Sequence, residues 1–159
     1  MNGFRIRDAR RPDCEAIGVL WAELMAHHRK LDGRFAVPSD GQQRYVRHLQ
    51  EMIRSRDARV LVAEEVATGA LVGYLMGELQ TRPVTALPGL YGFISDACVT
   101  EGWRHHGVGR ALFTEIRRWF VDRKARAVEL YAAEHNPAAL AFWEAMGLEP
   151  FLKLMHLEL

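Results

Sequence analysis

The chain has 159 residues, 49% hydrophobic and 26% charged, with a net charge of +1 at neutral pH. So even a balance gives no reason to expect nucleic acid or an anionic membrane as partner. No apolar run approaches the ~20 residues of a membrane helix. The length suits a single domain over residues 1–159 with one core. Met1-Asn2-Gly3-Phe4-Arg5 lacks the apolar core of a secretory signal. Cys14 and Cys98 are the two cysteines; without metal-type spacing they read as free thiols of a cytosolic protein, and no metal site is expected.

Phe4-Arg5-Ile6-Arg7 alternates like a short strand. Pro12-Asp13 opens a helix whose inner face carries Ile17, Leu20, Trp21, Leu24, Met25 and His28. Residues 32–38 read as loop. Ser39 with Gln42 three positions on has the spacing of a capping box, and a second helix follows with Tyr45, Leu49, Met52 and Ile53 inward. Residues 59–66 and 71–79 form a hairpin about Ala67-Thr68-Gly69-Ala70. Arg82 to Gly89, with two prolines, is loop. Tyr91 to Val99 is a strand; alternation puts Phe93, Ser95, Ala97 and Val99 on one face and Ile94, Asp96 and Cys98 on the other. A helix with a Leu112, Ile116, Trp119 and Phe120 stripe follows, then a strand over 127–133. Asn136-Pro137 starts a short helix that Gly147 ends, and residues 151–159 close the chain as a strand. Serial strands argue for antiparallel pairing, and the strand–helix–strand unit for one parallel pair. The fold class is α+β, a mixed, mostly antiparallel sheet with helices on its faces.

Between strand and helix stands Arg104-His105-His106-Gly107-Val108-Gly109. The first amides of a helix have no intrahelical partner, and the helix dipole adds positive potential there. Such a turn suits a phosphate or diphosphate. A Rossmann fingerprint needs a third glycine where Leu112 stands, and its acidic residue would be Glu129, inside a strand. No Gly-Lys-Ser/Thr follows, which removes a P-loop.

The run from Ile94 to Leu112, with its Arg-x-x-Gly-x-Gly turn after a strand ending in Val99, resembles the acetyl-CoA-binding motif of the GNAT family of N-acetyltransferases. Asn136-Pro137-Ala138-Ala139-Leu140-Ala141-Phe142-Trp143-Glu144-Ala145-Met146-Gly147-Leu148 resembles the family's Asn-x-x-Ala-x-x-Phe-Tyr-Glu-x-x-Gly-Phe helix. The order of elements matches as well, so the resemblance spans nearly the whole chain. It implies a sheet splayed between its fourth and fifth strands. It also implies that the amides of Arg104, His105, His106, Gly107, Val108, Gly109 and Arg110 hold the CoA diphosphate. Pantetheine would then pair with the main chain of Ala97, Cys98 and Val99, beside Asn136, Phe142 and Trp143. For His105 and His106 a solvated loop tip stays open, for Arg104 a surface ion pair, for Asn136 a helix cap alone, and for Val99 and Phe142 core packing alone.

Acetyl transfer needs a deprotonated amine, a donor to the thioester carbonyl and a proton for the departing thiolate. By resemblance, the N–H of Val99 is the carbonyl donor and transfer is direct, within a ternary complex. The family's Tyr acid is replaced by Trp143, which has no accessible acidity, and its frequent Glu by Ser95. Asp96 is the candidate base, against a purely structural hydrogen bond; Tyr131 is the candidate phenol, against packing in the sheet. Ser95 and Asp96 share a pocket only if the strand bulges. The family's acceptor region falls on Trp21, Asp32, Phe35 and Ser95, the alternative being caps and core. The expectation is a cytoplasmic acetyl-CoA-dependent N-acetyltransferase for a small-molecule or peptide amine, with a homodimer left open and no nucleic acid or membrane partner. The alternative is an acyl-CoA-binding sensor with little turnover.

Overall fold

Five strands form one sheet in chain order: β1 (Phe4–Asp8), β2 (Ala58–Glu65), β3 (Leu71–Thr81), β4 (Leu90–Val99) and β5 (Val128–Leu130). The first four pair antiparallel; β5 lies parallel to β4. The computed structural model describes residues 3–83 and 89–159. Positions 84–88 of the expected loop lie outside the described residues.

A parallel pair needs a crossover, and α3 (Val108–Asp122) supplies it. α1 (Cys14–Leu31) and α2 (Gly41–Arg54) cover one face of the sheet. There Ile17, Leu20, Tyr45 and Leu49 pack on Val60, Val62, Tyr74, Met76 and Cys98. On the other face Val108, Leu112, Ile116 and Phe120 of α3 pack on Leu61, Ala63, Val72, Leu75 and Ile94. Trp143 of α4 (Pro137–Ala145) joins this second cluster. Burial on both faces explains why β2 reads as an unbroken apolar run at Val60-Leu61-Val62-Ala63 rather than an alternating one. Phe120 comes so close to β3 and β4 that a Cβ on Gly77 or Gly92 would meet its ring at 2.8 or 2.5 Å. Only glycine permits that seat.

Several local expectations change. Ser39 does not cap α2. Asp40 precedes the helix, and its carboxylate pairs with Arg44 instead of a backbone amide. Asp13 likewise turns its carboxylate to the amide of Arg10 and to the Arg7 guanidinium. β5 keeps three of its seven expected residues, because the chain leaves β4 after Leu130. Phe151–Leu159 forms no strand: within one chain it meets none to pair with.

The largest correction lies in β4. Met76 faces Asp96, but Gly77 faces Ile94, so Ser95 is an extra residue in the ladder. A bulge of this kind shifts alternation by one. Ile94 therefore packs with Ala97 and Val99 on the α3 side, while Asp96 and Cys98 face α1 and α2. The simple alternation had placed Ile94 with Asp96 and Cys98.

Candidate active site

β5 accompanies β4 only from Gly92 to Ile94. Past Ile94 the outer edge of β4 has no strand beside it among the described residues, and the sheet is splayed there. The Thr100 amide donates to Val72 O at 3.0 Å, which fixes the ladder's phase. Antiparallel pairing alternates the direction of main-chain groups, so those of Ala97 and Val99 point into the gap. Those of Cys98 turn to Tyr74 on β3.

After a 3₁₀ turn over Glu101–Trp103 the chain reverses through His105 (φ 63°) and Gly107 (φ 83°) into α3. Two left-handed residues so close expose the backbone on one side. Among the described residues, no backbone carbonyl accepts from the amides of residues 105–110; the first helical bond runs from the Ala111 amide to Gly107 O. A Cβ on Gly107 would meet nothing within 4 Å, so the cradle is open. Gly109 has a different role: a Cβ there would meet the Phe142 ring at 3.1 Å, so it lets α4 lie close to α3.

Side chains brace this turn. Arg104 Nε donates to Val99 O at 3.1 Å, and Nη2 lies 3.8 Å from Glu23 Oε1. Thr100 Oγ1 donates to Glu23 at 2.9 Å, tying the turn to α1. His106 Nδ1–H donates to Arg104 O at 2.8 Å. Arg110 and His106 also line a cavity of about 460 Å³ against Phe4 and Ile6. Asn136 is only 6% exposed, and its Oδ1 accepts from the Ala139 amide at 3.1 Å as the N-cap of α4. Its Nδ2 donates to nothing among the described residues. Trp143 packs edge-on against Phe113 and Phe142.

On the α1–α2 side, Tyr45 Oη lies 3.1 Å from Asp96 Oδ2 and 3.2 Å from Tyr74 Oη. Tyr45 has one hydroxyl proton and gives it to the carboxylate; Tyr74 then donates to Tyr45. Burial pushes the Asp96 carboxyl up to about 6, opposed by this hydrogen bond and by the nearby His48. Burial pushes the Cys98 thiol up to about 12, so it carries no thiolate at neutral pH. Trp21 stacks on Tyr45 at 4.7 Å between centroids, and both line a cavity of about 310 Å³ with Val37, Pro38 and His48.

The other acceptor candidates stand apart from this cluster. Asp32 accepts from the amide and guanidinium of Arg34, which hold its carboxyl well below the usual range. Phe35 packs on His28. Ser95 is exposed on the bulge, with Oγ 3.4 Å from Met76 O. Tyr131, 79% exposed just past β5, stands edge-on to Phe93.

The profile of the acetyltransferase (GNAT) family matches residues 19–148. The chain belongs to this family. A mutant of the BH1408 protein from Bacillus halodurans is 26% identical, with a TM-score of 0.86 over 98% of this chain and 99% of that one. A glucosamine-6-phosphate N-acetyltransferase from Arabidopsis thaliana is 18% identical, with a TM-score of 0.73 over 98% and 97%. An aminoglycoside N-acetyltransferase in complex with CoA is 16% identical, with a TM-score of 0.75 over 98% and 93%. Another similar structure, 19% identical at a TM-score of 0.79, is described as a transcriptional regulator from Bacillus halodurans and covers 98% of this chain and 99% of that one. At these last identities the likeness is one of fold. A search of curated protein sequences finds no significant match.

In this GNAT chain, sequence reasoning missed Glu23, His48 and the hydroxyls of Tyr45 and Tyr74. None carries a local signal, since each acts on a residue at least twenty positions away. Asn136→Ala is expected to lower stability by about 1 kcal/mol through loss of the cap, read by thermal unfolding. If Nδ2 also reaches pantetheine, CoA affinity falls beyond what the cap explains; Asn136→Asp, which keeps the cap oxygen and lacks the amide donor, isolates that loss.

Proposed function

We propose that this chain is an acetyl-CoA-dependent N-acetyltransferase acting on a primary amine of a small molecule or peptide. We place it in the cytoplasm, as one catalytic domain over residues 1–159 and as a homodimer. The observation that carries the reading is the free edge of β4 opening beside the unpaired amides of residues 105–110. Those amides suit a diphosphate, and the main chain of Ala97 and Val99 suits the amide groups of pantetheine. In the proposal Arg104, Asn136, Phe142 and Trp143 flank that arm.

Acetyl-CoA supplies an acetyl group on a thioester, which the amine takes up directly. Val99 N–H points into the gap and is the donor we assign to the carbonyl oxygen as negative charge develops. An alkylammonium, pKa ~10, must lose its proton first. Asp96, held near neutrality and linked to Tyr45, is the base we assign, directly or through water. Tyr131 is the phenol we assign to the leaving thiolate. The Cys98 thiol, protonated at neutral pH, offers no nucleophile for an acyl-enzyme. Trp21, Tyr45 and the cavity they line are the acceptor side we assign; Asp32, Phe35 and Ser95 are not among its lining residues.

Release of free thiol from acetyl-CoA across aminoglycosides, amino sugars, polyamines and peptide amines tests the reading. Turnover with at least one class is expected. Trp143, packed between two phenylalanines, favours a second reading in which acyl-CoA is bound and sensed without turnover. Tight CoA binding with no thiol release for any amine would establish that alternative.

A further inference from the structure

The cavity beside α1 and α2, about 310 Å³, lies at the small end of the ~300–1,000 Å³ typical of small-molecule sites. Tyr45, 8% exposed, forms its floor, with Trp21 stacked on it at 11° between ring planes. Val37 and Pro38, from the segment joining the two helices, form a wall. These surfaces are almost wholly apolar. A further ring laid against a stacked pair gains both buried area and an offset or edge-on contact.

Charge narrows the choice of occupant. The ionisable groups at the rim are basic in type, Arg44 and His48. Arg44 Nε donates to Asp40 at 2.8 Å, but Asp40 is outside the lining. Among the described residues no carboxylate lines the cavity. The carboxylate that reaches its floor is Asp96, which accepts from Tyr45 Oη at 3.1 Å. A polycation needs a partner for each ammonium that it desolvates. One carboxylate serves one ammonium, and a second would face apolar walls and the Arg44 guanidinium. The same walls favour the neutral, nucleophilic form of the amine that enters.

Given the acetyltransferase reading above, we propose that the acceptor is a primary amine carried on an apolar ring, with no second positive charge. The ring lies against Trp21 and Tyr45, and the nitrogen points toward Asp96. The ammonium and the acetyl thioester give an amide, a thiol and one proton, which leaves through Asp96. The nitrogen–carbon bond forms as the carbon–sulfur bond breaks.

Thiol release from acetyl-CoA by the full chain, with matched amines, tests this. For phenethylamine, kcat/KM is expected to exceed that for ethylamine by roughly tenfold or more. It is expected to exceed by a similar factor that for spermidine, kanamycin and the same ring bearing an added aminomethyl group. Arg44→Glu is expected to raise the ring diamine relative to phenethylamine by about fivefold or more. Should that variant misfold by circular dichroism, the amine series on the unmodified protein decides alone. Ethylamine, spermidine, kanamycin or the ring diamine matching phenethylamine would overturn the proposal and leave the acetyltransferase reading standing. If no amine releases thiol, that reading fails instead, and calorimetry of phenethylamine into CoA-saturated protein decides the cavity's ligand. Binding that Trp21→Ala abolishes would support the ring site; no binding would overturn it.

Discussion

Gly107→Glu is expected to raise the dissociation constant for CoA about a hundredfold while leaving the core folded. Gly107 sits at φ 83° with open space where a side chain would project. A glutamate there meets no steric wall. It instead puts a carboxylate over the amides of residues 105–110, where it competes with a diphosphate and repels it. A like-charge contact near 4 Å costs up to about 4 kcal/mol at the effective dielectric of a protein surface, and a hundredfold loss corresponds to about 2.7 kcal/mol. The left-handed backbone adds about 1 kcal/mol of strain for any non-glycine residue. Gly107→Ala carries the strain without the charge, so it is expected to lower the unfolding temperature as Glu does and to bind CoA far better. Calorimetry with CoA and thermal unfolding of both variants check this. Equal CoA affinity in the Glu variant and the unmodified protein would place the diphosphate elsewhere.

Asp96→Asn is expected to lower kcat by about 10²- to 10⁴-fold, the range for a lost general base. The pH profile separates this from a structural effect. Burial raises the Asp96 carboxyl to about 6, so the basic carboxylate forms as pH rises through 6, and kcat/KM of the unmodified enzyme should climb there. In the Asn variant that limb disappears. Tyr45→Phe removes a donor to the charged form, so the same limb is expected at higher pH. The stability sign runs the other way. A carboxyl raised from ~3.9 in the unfolded chain favours folding when protonated, and that contribution is lost as pH rises through 6. At pH 8 Asp96→Asn should therefore unfold no lower than the unmodified protein, and up to about 2 kcal/mol more stable. A rate profile unchanged by Asp96→Asn would leave Asp96 with only its hydrogen bond to Tyr45.

The parts of the site legible in the sequence are those whose causes are local. Asn136, Pro137 and Gly147 mark both ends of α4 because a cap, a fixed φ and a left-handed exit act within one turn of chain. The cradle at 104–109 is legible for the same reason. The bulge at Ser95 is not, because it is a mismatch with β3 and appears only once two strands are paired. The contact of Tyr45 with Asp96 joins residues 51 apart, and nothing near either one announces it. Arg34 takes up Asp32 two residues away, where Asp32 caps the turn over 33–35; that contact is local, but the residue types alone do not rank it against an acceptor amine. Phe151–Leu159 is the converse case: its pattern is that of a strand, but a strand also needs a partner, and the segment pairs with none among the described residues.

The most direct measurement is a crystal structure of the protein grown with acetyl-CoA. The diphosphate oxygens should accept from the main-chain amides of residues 105–110, with pantetheine lying along Ala97 and Val99 in the gap between β4 and β5. A cofactor bound with that gap closed and those amides facing only solvent would contradict the account.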